Sequence, residues 1–218
     1  MSINRGVANT VIGLVAFMAL LLGLVVNRIL TPTMLSREEM SEQGLFVYDV
    51  PRRFADFSLT DSAGQPLSKS VFAGRWTLVF FGFTQCPDVC PTTLATLRRF
   101  HESLAEQDPM AADLLQVLFV SVDPMRDTPA KIGEYVHYFD PRYLGATGEH
   151  NQIFTFAHAL NIAFTYVADN KGGYDVSHSG EVALINPEGD FHGFFKASPD
   201  PQKMLVTYAS MLQWWQGR

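Results

Sequence analysis

Hydrophobic and polar positions divide this chain into one long apolar run followed by short alternating segments. No charged residue interrupts Val11–Val26, and from Val7 onward the only polar breaks are Asn9 and Thr10. A bilayer crossing takes about 20 apolar residues, so the run predicts a membrane-spanning helix. A cleaved signal peptide is the rival reading, because the run is N-terminal and starts near Arg5. The flank Asn27-Arg28-Ile29-Leu30-Thr31-Pro32 offers no A-x-A cleavage site, and an uncleaved anchor over residues 1–30 is expected. Arg5 on one side nearly balances Arg28 and Arg37 on the other, so the positive-inside rule does not orient it.

Beyond the anchor, Thr31–Phe46 is polar and mixed in charge, with Arg37, Glu38, Glu39 and Glu42, and reads as a tether. The folded domain is then expected over residues 47–218. Phe54–Thr60 alternates F-A-D-F-S-L-T before the turn residues Asp61–Gly64, which predicts a β-hairpin extension at the start of the domain. A buried strand is predicted over Thr77–Phe83, and a helix over Thr92–Gln107 with Leu94, Leu97, Phe100, His101 and Leu104 at helical spacing. Leu115–Val122 reads as a second buried strand ending at Asp123-Pro124. Asp127-Thr128-Pro129 caps a helix that runs to Phe139. Further along, Glu149–Leu160 reads as a helix, Ala163–Ala168 as a strand and Asn170–Gly173 as a turn. Val182–Ile185 and Phe191–Phe195 flank the hairpin turn Asn186–Asp190, and Asp200–Trp215 is a closing helix. Strands alternating with helices, then a hairpin plus helix, predict an α/β domain with a mixed sheet.

At 218 residues the chain is long enough for one domain with a sizeable core. A formal net charge of −6 without a basic patch argues against a nucleic-acid partner. The chemistry concentrates in Leu78–Leu94, which holds both cysteines of the chain, Cys86 and Cys90. Residues at i and i+4 share a helix face, and a helix N-terminus favours a thiolate. Two chemistries are open: binding a soft metal or cycling a disulfide. The bland reading is a pair of small buried hydrophobes or a structural disulfide. Pro87, Asp88 and Pro91 make the surround rigid and partly polar, which disfavours it. Cysteines between a central strand and a helix are the thioredoxin arrangement, here C-x-x-x-C and one residue longer than the redox motif.

A metal would want a third ligand, and there are six histidines. His101 and His137 fall on amphipathic helices, as surface or core-edge residues. His150 and His158 lie in or near another helix, without other ligand types at metal spacing. His192 sits in a hairpin arm beside Gly193, where exposure is expected. His178 stands just before the strand beginning at Glu181, in the segment that faces the cysteine helix in a thioredoxin-like fold. Enzymes of that fold place a cis-proline there; this chain has none at that point. Two thiolates and an imidazole suit copper, with zinc as the commoner generic alternative. The eight methionines are scattered and make no methionine-only site.

F-x-F-T-Q-C-P-D-V-C-P-T-T-L, then V-S-V-D-P-x-R-D-T-P, S-H-S and N-P-E-G, together resemble the Sco/SenC family from about Phe54 to the end. The resemblance implies a thioredoxin-like mixed sheet flanked by helices, tethered to a membrane, with copper on Cys86, Cys90 and His178. It implies a metallochaperone that delivers copper to the binuclear centre of cytochrome c oxidase, or reduces the cysteines of that centre. The implied partners are the oxidase's copper-bearing subunit and a copper-donating chaperone. The implied location is a bacterial inner membrane, with the domain on the periplasmic face. Asp123 matches an acidic residue linked to copper loading; a strand-end cap is its structural alternative. Ser177 stands before His178 where the commonest family pattern has aspartate, and Asp175 is the nearest acid. Two rival functions remain open. One is a thiol–disulfide oxidoreductase attacking through Cys86, with His178 assisting proton transfer. The other is a peroxidase of the thioredoxin class.

Overall fold

The computed structural model describes residues 5–30, 34–168 and 172–217. Residues 31–33 of the expected tether, and Asn170 and Lys171 of the expected turn, lie outside them. The chain divides between Met34 and Leu35 into two compact units. The first contains helix α1 (Arg5–Leu30), whose stretch Asn9–Val26 is long and apolar enough to cross a bilayer.

The second unit runs, in order, through α2 (Arg37–Glu42), β1 (Leu45–Arg52), β2 (Leu59–Asp61), β3 (Pro66–Leu67) and a 3-10 turn (Lys69–Phe72). Next come β4 (Trp76–Gly82), α3 (Val89–Gln107), α4 (Pro109–Asp113), β5 (Leu115–Ser121) and α5 (Pro129–Phe139). Then follow β6 (Leu144–Thr147), α6 (His150–Ala159), β7 (Phe164–Ala168) and β8 (Tyr174–His178). β9 (Val182–Ile185), β10 (Phe191–Phe195) and α7 (Pro201–Gln216) complete the fold. Eight strands form one sheet in the order β1-β10-β9-β4-β5-β6-β2-β3, while β7 and β8 pair only with each other. β4, β5 and β6 are mutually parallel and β9 runs antiparallel to β4, so the sheet is mixed as expected.

Every residue of β4 is buried, as a central strand covered on both faces must be. Its alternation assigns side chains to two cores. Leu78 and Phe80 pack with Leu94, Leu97 and Phe100 of α3 and with Tyr208 of α7. Val79 and Phe81 pack on the other face with Leu118, Val120, Ile153 and Phe156.

Three expectations are corrected. The segment read as a tether is folded from Leu35 onward. Ser36 and Glu39 form a capping box on α2, Met40 and Leu45 are buried in the first core, and β1 pairs with β10. One and a half turns of helix need bury only one side chain, so its four charged residues hid it. The expected hairpin extension is shorter, β2–β3, and joins the main sheet through β2–β6. His192, expected on an exposed arm, is buried between the rings of Trp76 and Trp215. Pairing of β1 outside β10 makes β10 an interior strand, which the hairpin sequence alone did not disclose.

Gly82 closes β4 where the first turn of α3 comes close. A Cβ built there would stand 2.6 Å from the Cys90 sulfur and 2.9 Å from the Phe119 ring. Gly82→Ala is therefore expected to lower stability by about 1–3 kcal/mol, the cost of overpacking a filled core. Denaturant unfolding checks this, and a midpoint equal to that of the unsubstituted protein would contradict the close approach.

Candidate metal centre

The thiol pair is built at the end of β4. The chain leaves the sheet after Gly82 and crosses to α3 through residues 83–88. Thr84 is fastened at the start of this crossing. Its N–H donates to Asp127 Oδ2 at 2.8 Å and its hydroxyl to Asp127 Oδ1 at 2.5 Å. Asp127 is buried and also accepts Ser121 Oγ at 2.6 Å and Lys131 Nζ at 3.2 Å, so four donors saturate its carboxylate.

The sulfurs meet for a reason other than a shared helix face. Cys86 precedes the helix, and Cys90 lies in its first turn. The Cys90 N–H, one of the donors that a helix start leaves unpaired, donates to Cys86 Sγ at 3.3 Å. Asp88 at the N-cap makes no side-chain cap, so the sulfur of Cys86 takes part of that office. Cys86 is half-buried, whereas Cys90 is wholly buried. Burial, reinforced by the contact with Cys86, pushes the Cys90 thiol pKa far up. Loss of water thus outweighs the helix N-terminus as an influence on this thiol.

His178 arrives from another direction. It is the last residue of β8, opposite Phe164 in the β7–β8 hairpin, one short segment ahead of β9. Its Nε2 lies 3.5 Å from Cys90 Sγ, and its Nδ1 lies 2.8 Å from the carbonyl oxygen of Ser179. A carbonyl only accepts, so Nδ1 carries the proton and the Nε2 lone pair faces the thiols. Burial lowers the imidazole pKa, against a smaller opposing effect of the Ser179 bond, and favours the neutral form that ligates metals. Phe80 and Phe83 stand edge-on to the ring, each at 6.0 Å. The two sulfurs and the histidine nitrogen lie within 4.8 Å of one another. Two thiols and a neutral imidazole, converging and partly dry, fit a soft monovalent ion such as Cu(I).

Asp123 is placed differently from the ligands. It is fully buried just after β5, and its carboxylate accepts Arg126 Nε and, at 2.7 Å, the Tyr174 hydroxyl. Its own N–H donates to Ser121 Oγ at 3.1 Å. The other histidines stay out of the cluster. His101 is buried and donates from Nε2 to Ala112 O at 3.0 Å; His137, His150 and His158 are exposed. Sequence reading overlooked Asp127 and Tyr174. The acid at i+4 from Asp123 was a usable signal for the first, while Tyr174 gave none before β8 was known to be a strand.

Comparison with known proteins agrees with this architecture. The sequence model of the SCO1/SenC family matches residues 49–213. Mouse SCO2 homolog, a mitochondrial protein, is 40% identical over 156 residues, covering 70% of this chain and 59% of the mouse protein. The chain thus spans less than two thirds of that relative. A SCO2-like protein of Rickettsia conorii is 29% identical over 201 residues, covering 91% of this chain and 96% of its own. The crystal structure of Arabidopsis thaliana ScoI with copper bound superposes with a TM-score of 0.68 at 30% identity, over 73% of this chain and 98% of that one. A family match spanning most of the folded unit, joined to this sheet order and this pair of cysteines, establishes that the chain belongs to the SCO1/SenC family.

Proposed function

We propose that this protein is a membrane-anchored copper carrier that supports maturation of the binuclear copper centre of cytochrome c oxidase. The observation that carries the proposal is the convergence of Cys86, Cys90 and the Nε2 face of His178 within 4.8 Å. Copper is the cargo. The half-buried Cys86 offers the accessible sulfur where an ion enters or leaves, Cys90 holds it from inside, and His178 closes the set from the hairpin. α1 serves as the anchor, and the unit from Leu35 works on the periplasmic face of a bacterial inner membrane. A copper-donating chaperone stands upstream and the oxidase's copper-bearing subunit downstream. The copper-bound Arabidopsis relative supports the choice of metal.

Thiol–disulfide exchange is the second reading, favoured by the unequal exposure of two adjacent cysteines. Cys86 would attack the partner's disulfide, and Cys90 would then resolve the mixed disulfide. The partner's cysteines end reduced and this pair ends oxidised. A redox pair has no need of an imidazole lone pair aimed at the buried thiol, which places copper handling first.

Anaerobic titration of the reduced full-length protein in detergent, with Cu(I) against a competing chelator, separates the two. One tight site is expected, weakened on the order of 100-fold in His178→Ala, the upper end of what even outer-shell losses cost. Binding indifferent to His178 would leave the thiols alone and move exchange to first place.

The pH dependence has a definite sign. The Cys90 pKa is raised, so its proton must leave before the sulfur ligates. Burial lowers the imidazole pKa, so proton competition at His178 adds less slope than at an ordinary imidazole. Apparent Cu(I) affinity should therefore decline from about pH 8 to about pH 6, by up to roughly tenfold per unit for each thiol proton displaced. The same competition repeated across that range measures it, and a flat profile would mean that Cys90 is not a ligand.

A further inference from the structure

The β7–β8 hairpin carries His178 but, among the described residues, shares no strand pairing with the eight-stranded sheet. A lone two-stranded hairpin is marginal in water, so its position depends on attachments to the rest of the fold. Along β8 only Val176 is fully buried. Close to His178, the bonds between Ser179 and Ala163 tie the hairpin to its own base. Ring contacts attach this end to the main body, His178 edge-on to Phe80 and Phe83 and Phe164 against His150 and Phe154, whereas the charged attachment lies at the far end.

There Tyr174 is gripped from three sides. Its hydroxyl donates to the buried carboxylate of Asp123 at 2.7 Å. The guanidinium of Arg126 lies 4.1 Å from its ring centre, and Arg126 Nη1 donates to its carbonyl at 3.1 Å. Arg126 is itself ion-paired to Asp123 and extends over the Phe83 ring, beside the thiol loop. Among the described residues of the partner strand, the Tyr166 hydroxyl makes a comparable polar anchor, donating to Val122 O at 2.5 Å and lying 3.3 Å from His150 Nδ1. Tyr174 and His178 are four residues apart on one strand, hence on one face and about 13 Å distant along it.

We propose that Tyr174 is a positioning residue for His178: clamped by Asp123 and Arg126, it fixes the β7–β8 hairpin so that the imidazole is held against Cys90. This rests on His178 being a metal ligand. β8 acts as a short lever, pinned at Tyr174 and bearing the imidazole at its other end. Tyr174→Phe keeps the ring and its cation contact but removes the hydroxyl that reaches Asp123. Tyr166 still holds the hairpin near the body, so the variant loosens the lever without detaching it.

The test uses the full-length protein in detergent as Tyr174→Phe, His178→Ala and the double variant. Tyr174→Phe should weaken Cu(I) about tenfold, the scale of an outer-shell loss. In the double variant it should add nothing to the loss caused by His178→Ala, because a lever without its imidazole has nothing left to place. In the reduced, metal-free protein, amide exchange along β8 should quicken while β4 and β5 keep their protection. Unchanged affinity, a loss that adds in full to that of His178→Ala, or faster exchange throughout β4 and β5 would each overturn the proposal. If His178→Ala itself leaves Cu(I) affinity intact, it is the ligand assignment that fails, and the exchange pattern along β8 still decides whether Tyr174 pins the hairpin.

Discussion

The constraint on which the site depends is the contact between the end of β4 and the first turn of α3. That contact needs a residue without a side chain at Gly82, and it leaves the Cys90 sulfur with no exposure to water. A thiolate there has no solvent to stabilise its charge, so the metal-free site keeps Cys90 protonated. A soft cation supplies what water does not, by taking the place of the proton. The neighbouring imidazole obeys the same logic, since burial favours its neutral form, with the lone pair free. The dryness that makes this pocket a poor place for a free thiolate thereby favours a soft ion in place of the proton.

Regions with dense hydrophobic patterning were legible in the sequence. β4 and β5 are mostly apolar because both their faces are covered, with Thr77, Gln116 and Ser121 as the polar breaks, and α5 carries its own cap and proline. The convergence of Cys86, Cys90 and His178 was legible as well, because two cysteines before a helix and one histidine ahead of a strand leave few other choices. The mechanism assumed for the thiols was not correct. Spacing of i, i+4 suggested a shared helix face, whereas Cys86 lies before the helix and folds back onto the N–H of Cys90. Sequence spacing cannot tell these apart, since either geometry brings the sulfurs together.

What stayed hidden has a common physical cause: elements whose packing is one-sided or supplied by distant partners. α2 buries Met40 alone, and its charged residues dominate its pattern. β8 reads Y-D-V-S-H, with one fully buried residue, and becomes a strand by pairing with β7. His192 becomes interior when the rings of Trp76 from β4 and Trp215 from α7, both far away in the chain, close around it. None of these depends on local propensity, so no local reading finds them.

The loop after β5 gathers the parts of the site that the chain keeps far apart. Cys90 and His178 are 88 residues apart in sequence, yet their ligand atoms lie 3.5 Å from each other. Asp127 binds the loop leading to Cys86 through both polar groups of Thr84. Asp123, four residues earlier, binds the hairpin leading to His178 through Tyr174. Two buried carboxylates on one short turn therefore reach toward opposite halves of the site, and their separation is fixed by the turn's own N–H bonds from Arg126 and Asp127 back to Asp123 O. Open α/β sheets place their ligands beyond the carboxyl ends of their parallel strands, where loops from adjacent strands converge. Here the loop after β4 contributes the thiols, and the loop after its neighbour β5 bonds to both the thiol loop and the hairpin that carries His178. Asp123, the acidic residue that family resemblance links to copper loading, thus reaches the hairpin through Tyr174 and stands outside the cluster of Cys86, Cys90 and His178.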